Sequence, residues 1–579
     1  MKKRTLALLL AAVMLLSVLA GCNNDKPVET KPNKPAETKP GATQPAETPA
    51  EPELIEIVTS KSYYQDPFDS DGKNSPVYAE IVKKTNVELK YTSVDNDQLQ
   101  VRIASKDMGD LFIINDATQL YDLIESDMLM PLNDAIAEYA PWIISDWPEL
   151  WAYACDITEN SEGTAYALPV NAGDDGDLGY AIRNIYTVRW DLYEAMGCPV
   201  ITNEDEYIQL LAGMMALQPT NAEGKKVYGA SFYLEDTSFY QFIQHMAHTN
   251  GWNNKKGHFV HEDIRTNEVV YSMYDVNGPF WRAADYYNRC YRAGVLDPDC
   301  FTQQEEDFEA RIDNGELLNC SNLMDADYEA AQLAIDPNSK AGFISLPVDG
   351  TLFYDRAACP IGWEATCALA IPKNSSNPEA ALRLIAYLFS EEGARTVKSG
   401  VQGIHWDYVD GVPTYNDETL ALIAAGGDEY KKTGINLTCF ECMSGITNSH
   451  ILSDGHPADL TRGDAYRSTK DYTPAFKAFS EHYGVSYPAQ IFKQKVEEGK
   501  MLDLRNASTA SLDVTDEDID RIDTICVKIC LEAIPKLVTA ADDAAFEAIK
   551  AETLDALKAA GAEQAEAFYK NAWAEANAK

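Results

Sequence analysis

The chain has 579 residues and a formal net charge of −43, with 45% hydrophobic and 10% aromatic residues. That apolar and aromatic content excludes a globally disordered chain. Its 91 acidic against 48 basic residues exclude a surface built to coat nucleic acid or an anionic membrane. Sequence inspection finds one long apolar run, at the N-terminus, which excludes a multi-span membrane protein. The length suits two to four domains or one large two-lobed body.

Lys2, Lys3 and Arg4 precede an apolar run from Leu6 to Leu19 that fits the core of a secretory signal and is short for a membrane span. The run ends in Leu19-Ala20-Gly21-Cys22, which resembles the lipobox of bacterial lipoproteins. That resemblance implies removal of residues 1–21 and a lipid thioether on Cys22. Asn23 to Pro52 holds seven prolines, four lysines and no aromatic residue. Such a segment cannot bury enough apolar area to offset its ordering entropy, and as an extended linker it reaches on the order of 90 Å.

The folded body is expected to start with a buried strand over residues 54–59. The spacing predicts a helix over 77–85 and an alternating strand over 87–91. A second helix over 99–105 and a buried strand over 110–114 follow. This order implies a doubly wound sheet with ligand sites at the carboxyl ends of its strands. Ala368 to Lys373 reads as a further strand. Asn377 and Pro378 read as the N-cap and first residue of a helix striped by Leu382, Ile385 and Phe389. Asp542 to Ala560 reads as a helix with Phe546, Ile549, Thr553 and Leu557 inward and Gly561 as its stop.

Several of these segments resemble extracellular solute-binding proteins of family 1, in the large lipoprotein branch of Gram-positive bacteria. They are Ile81 to Leu89, Ala104 to Leu111, Glu162 to Pro169, Val188 to Gly197, Cys290 to Pro298, Asn377 to Thr396 and Ala559 to Ala576. In that family a proline usually precedes the aspartate of the second segment, where this chain has Gly109 before Asp110. The resemblance implies an α/β, two-lobed clamshell of the periplasmic-binding-protein type (type II), each lobe a doubly wound sheet, with extra C-terminal helices. Chain crossovers are expected near Pro169, Trp363 and Gly403. The expected division is 1–21 signal, 22–52 lipidated Cys and linker, 53–169 plus 364–402 N-terminal lobe, and 170–363 plus 403–579 C-terminal lobe.

A pyranose presents an apolar face to an aromatic ring and hydroxyls to fixed polar groups. The chain has 9 Trp and 31 Tyr to supply such rings. Position selects the candidates. Tyr63 and Tyr64 follow the first strand, Asp116 follows the third, and Asp174 lies in the polar run after the first crossover. Trp363 and Glu364 start the returning strand, and His405 and Trp406 follow the third expected crossover. Trp252 and Trp281 complete the ligand-binding set.

His245, His248, His258 and His261 cluster in 17 residues, as zinc ligands do, but a polar loop is the preferred reading and no metal is assigned. Some relatives carry a calcium loop near the equivalent of 219–229. Here Pro219 to Lys226 lacks its leading carboxylates and adds two lysines, which argues against calcium. Eleven cysteines follow Cys22, and buried free thiols are the default for them. No GxSxG, HExxH, P-loop or GxGxxG occurs in the right setting, so no catalytic residue and no cofactor are assigned.

The resulting expectation is a non-enzymatic solute-binding protein of an ABC importer. It would be lipid-anchored on the outer face of a Gram-positive-type cell membrane, capture an oligosaccharide between its lobes and deliver it to permease subunits as a monomer. A lipid-anchored glycosidase or lyase, and a surface adhesion or sensor lipoprotein, remain the alternatives. Peptides and other solutes remain open as cargo, because one fold hosts many ligands.

Overall fold

A computed structural model describes residues 51–60, 68–114, 117–157, 162–170, 172–173, 185–235, 237–319, 327–353, 368–503, 507–508, 512, 514 and 516–577. The chain divides into a unit of residues 1–50, which lies outside the described residues, and a unit of residues 51–579. The signal, Cys22 and linker readings therefore fall outside the description. No described helix is long and apolar enough to cross a membrane.

The first core is a five-stranded sheet in the order Val87–Val94, Glu53–Ser60, Leu111–Ile114, Ala368–Ala370, Ala167–Pro169. The first three strands are parallel, and Ala368–Ala370 runs antiparallel to both its neighbours. The central strands are continuous apolar runs because both faces are covered. Ile55, Ile57, Ile113 and Leu369 face one cluster of helices, while Val58, Phe112, Ile114 and Ala370 face another. The expected helices form as Pro76–Thr85, where the Ser75 hydroxyl accepts from the Tyr78 N–H, and Asn96–Ala104, capped by Asp95.

Two local expectations change. Asn377 makes no side-chain cap for the helix Pro378–Leu388. Asp110, just before the third strand, instead holds the turn that leads into that helix. Its Oδ1 accepts from the Ser376 and Asn377 N–H groups (2.8 and 3.0 Å) and from the Ser375 and Ser376 hydroxyls (3.0 and 2.8 Å). Its Oδ2 accepts from the Glu56 N–H at 3.0 Å. Burial pushes the Asp110 carboxyl up, but these hydrogen bonds outweigh it and hold the group below the ordinary aspartate range. Gly109 has φ +72°, which proline cannot adopt, and a Cβ there would lie 2.6 Å from the Glu56 carbonyl oxygen. Glycine thus replaces the family's proline for a backbone reason.

The second core is helical, built around Pro279–Arg292 and Glu517–Val538. Its described strands are short. Thr187–Arg189 pairs with Phe343–Ser345, three strands over residues 252–271 form a meander, and Leu352–Phe353 pairs with Leu502–Asp503. Single parallel bridges, Tyr228 to Leu317 and Ala230 to Leu296, mark further strand positions. Among the described residues these strands form short pairs and a three-stranded meander, and helices supply most of the core. At its base the buried Asp523 accepts hydroxyls from Tyr271 and Tyr569, both at 2.5 Å, and so ties the last helix, Ala562–Ala576, to the meander. Gly561, with φ +103°, ends the helix Asp543–Ala560 as expected.

The segment after Gly403 stays with the first core instead of crossing. Ile435, Leu437, Phe440 and Met443 are buried in it. The hairpin Trp406–Val409 and Val412–Tyr415 packs on Leu460. The chain next enters the second core at Ala475 and Phe476.

Candidate functional site

Register places the ends of all five strands of the first sheet in one row. Ser60 pairs with Val94, and the Val58–Phe112 pairing sets Ser60 level with Ile114. Ala368 pairs with both Ile114 and Pro169. The chain leaves this row after Ser60, Ile114 and Pro169 and returns to it at Ala368. Six of the expected ligand residues lie on those connections: Tyr63, Tyr64, Asp116, Asp174, Trp363 and Glu364. All six fall outside the described residues.

Ser60 is the polar residue of the row. The Ser60 hydroxyl donates to Asn96 Oδ1 at 2.8 Å. The helices Asn96–Ala104 and Ala117–Glu125 both begin just beyond it, so their N-terminal dipole ends lie at the same side of the sheet. Past Pro169, Ala172 bridges to Ile446. Its N–H donates to the Gly445 carbonyl at 2.6 Å, and its carbonyl accepts from the Thr447 N–H at 2.9 Å. Gly173 has φ +106°, and a Cβ there would lie 2.6 Å from His450 Nδ1. His450 in turn meets Trp147 edge-on at 4.8 Å. Sequence reasoning missed this flank of residues 445–450. Its available signal was the glycine pair Gly173 and Gly445, each of which admits a close neighbour.

The remaining four expected ligand residues are buried. Trp281 is 2% exposed and donates its Nε1–H to the Met273 carbonyl at 3.1 Å. Trp406 donates to the Gly400 carbonyl at 2.8 Å, and His405 Nδ1 accepts the Val401 N–H at 2.9 Å. Trp252 is buried in the meander. The polar atoms of Trp281, His405 and Trp406 serve backbone groups in the interior, and none of the four lies on the row.

The four clustered histidines are buried and not on a polar loop. His261 Nδ1 lies 2.6 Å from the Ser272 hydroxyl, and His258 Nδ1 lies 3.3 Å from that of Ser238. Burial pushes His258 down to about 4, and burial with the neighbouring His248 and His258 pushes His261 down to about 3. Among the described residues no group of three metal-ligating side chains converges. In the turn 219–226 the Lys225 ammonium lies 2.8 Å from Glu316 and 3.2 Å from Glu223. The backbone N–H of Lys225 donates to Asn221 Oδ1 at 2.9 Å. A lysine thus supplies positive charge at that turn. All eight described cysteines are free thiols.

Residues 61–186 match the family described as bacterial extracellular solute-binding protein. A search of curated proteins finds no match. Among solved structures, the chain is similar to an extracellular solute-binding protein from Bifidobacterium longum subsp. infantis. The TM-score is 0.60 at 14% identity, over 90% of this chain and 98% of that one. It is similar to an HMO-binding, ABC-transporter-associated solute-binding protein from Bifidobacterium longum infantis, with TM-score 0.57 and 14% identity over 90% and 99% of the two chains. It is also similar to the S. pneumoniae ABC-transporter substrate-binding protein FusA in complex with kestose, with TM-score 0.53 and 14% identity over 91% and 100%. The chain therefore carries the sequence signature of bacterial extracellular solute-binding proteins over residues 61–186, on the two-lobed fold of that family.

Proposed function

We propose that this chain is the solute-binding protein of an ABC importer and captures an oligosaccharide between its two lobes. The observation that carries this reading is the shared strand-end row, from which the connections bearing Tyr63, Tyr64, Asp116, Asp174, Trp363 and Glu364 all depart. Rings from two connections would stack on sugar faces, and carboxylates from the others would accept their hydroxyls. The solute-binding proteins of similar fold that bind HMO and kestose support a glycan as cargo. The same connections are rich in aspartate, as in Asp174-Asp175-Gly176-Asp177, which favours neutral glycans over uronate-bearing ones.

In this reading one lobe comprises residues 53–173 and 368–467, the other residues 185–353 and 474–577. The crossovers then fall at 174–184, 354–367 and 468–473, and closure about them would present a loaded form to the permeases. Trp252, Trp281, His405 and Trp406 act as core residues. Residues 1–21 direct export, Cys22 carries the lipid, and the proline-rich linker holds the monomeric body outside the membrane. The protein binds its glycan without turning it over.

A thermal-shift screen of the lipid-free chain against neutral oligosaccharides, uronate oligosaccharides and peptides tests the reading. A ligand at 100 times its Kd adds ~2.7 kcal/mol of stability. A saturable shift with neutral glycans, without their degradation, is expected. Turnover by pure protein, or a response to peptides alone, overturns it.

A further inference from the structure

The chain leaves the first core through Ala172 and Gly173, and both are held on the segment 445–450. Ala172 is fully buried and makes backbone hydrogen bonds to Gly445 and Thr447. Gly173, in the left-handed region, lies against His450. The crossover that follows is rooted on this segment, so the segment's own anchorage decides how firmly the root is held.

That anchorage is dense at both ends. The Gly445 N–H donates to the Leu388 carbonyl at 3.1 Å, and a Cβ on Gly445 would fall 2.3 Å from the Phe389 ring. At the other end the Asn448 and His450 carbonyls accept the Asp459 and Ala458 N–H groups, at 2.8 and 2.9 Å. Lys398 reaches the segment from the last turn of the helix Glu391–Ser399. It is 1% exposed, and its Nζ donates to Asn448 Oδ1 at 2.7 Å. The next residue, Ser399, donates its hydroxyl to the Ala458 carbonyl at 2.7 Å and accepts the Leu460 N–H at 2.9 Å. Burying an ammonium is costly, and an apolar side chain of the same length would fill the space without that cost. What the ammonium adds is a directional, charge-assisted hydrogen bond, which fixes the orientation of the Asn448 amide.

We propose, on the basis of the importer reading above, that Lys398 is a positioning residue for lobe placement. Through Asn448 it stiffens the segment 445–450 and so sets the angle at which the first crossover leaves the first lobe. Loss of the bond is expected to loosen the root without unfolding its surroundings, because Ile446 stays packed with Ala394, Leu452 and Ala458.

Hydrogen exchange and small-angle scattering of the full chain, both without ligand, test this role. In Lys398→Met the Ala172 and Thr447 amides are expected to exchange about ten-fold faster or more, while those of 53–60 and 378–388 change by less than about two-fold. The radius of gyration of the same variant is expected to differ from wild type by more than its error. Asn448→Leu, at a half-buried position, is expected to act like Lys398→Met and serves as the test should that variant fail to fold. Asn448→Asp keeps an acceptor for the ammonium and is expected to behave as wild type. The double variant of Lys398→Met and Asn448→Leu is expected to exceed neither single one, because both break the same bond. Unchanged exchange at Ala172 and Thr447 overturns the role, as does an equal rise in all segments. A selective rise with an unchanged radius of gyration overturns it too. No ligand enters this experiment, so its failure leaves the glycan reading standing, and a glycan screen without response leaves the exchange result as it is.

Discussion

Asp110 joins three pieces of chain that lie far apart in sequence: the first strand at Glu56, the third strand that it precedes, and the helix start at Ser375 to Asn377. Replacing it by asparagine keeps the volume but turns an acceptor-only carboxylate into a half-donor. At least one of its three backbone N–H partners then loses its acceptor inside a site where Asp110 is only 6% exposed. A lost helix cap costs about 0.5–2 kcal/mol. A stranded buried N–H costs about 1–3 kcal/mol more. Asp110→Asn should therefore destabilise the first core by roughly 2–4 kcal/mol at pH 7. The sign with pH follows from the depressed carboxyl. The wild-type advantage is complete above the unfolded pKa of about 3.9, and it disappears as pH falls through the lower folded value. Urea unfolding of wild type and variant, with exchange of amides in Pro378–Leu388 as the local readout, measures both. A variant within about 0.5 kcal/mol of wild type at pH 7, or a gap unchanged at pH 2, would refute the capping argument.

Other expectations bear on the second core and the proposed sites. His258 and His261 stay neutral in the fold while the unfolded chain takes up protons below about 6.5. Stability is therefore lost from about 6.5 downward, by roughly 3 kcal/mol from His258 alone by pH 4, and exchange in residues 245–271 should rise before that in 53–60. Trp363→Ala should weaken glycan binding about ten-fold or more by calorimetry, with little change in melting temperature. Trp281→Phe should lower the melting temperature, through loss of its bond to Met273, and leave affinity unchanged. Millimolar calcium should not raise the melting temperature, because Lys225 already supplies positive charge beside Glu223 and Glu316; a saturable rise would show that reading of the turn to be mistaken.

The first core was legible in the sequence because its signals are local. Buried strands are unbroken apolar runs, Ser75 and Asp95 cap where they should, and Gly561 stops its helix. The cap from Asp110 was not legible, since it spans more than 260 residues and the adjacent Asn377 offers a plausible decoy. Gly403 suggested a crossover by its position, but contacts made by Ile435 to Met443 keep that segment on the first core. The strand-end residues were reached through topology alone. Trp252, Trp281 and Trp406 are equally aromatic candidates yet are buried in the interior, which only three-dimensional packing reveals.

The place of Ala368–Ala370 in the sheet has a consequence for the order of assembly. This strand lies between Leu111–Ile114 and Ala167–Pro169, though it is made some 200 residues after them. Until it arrives, both neighbours have an open edge and the first core has a gap through its middle. The second core waits longer still, since Asp523 meets Tyr569 only when the last helix is complete. A growing chain therefore has no finished body to fold into before most of it has been synthesised. That delay, set by topology, leaves the polypeptide without a complete core until its last segments are available.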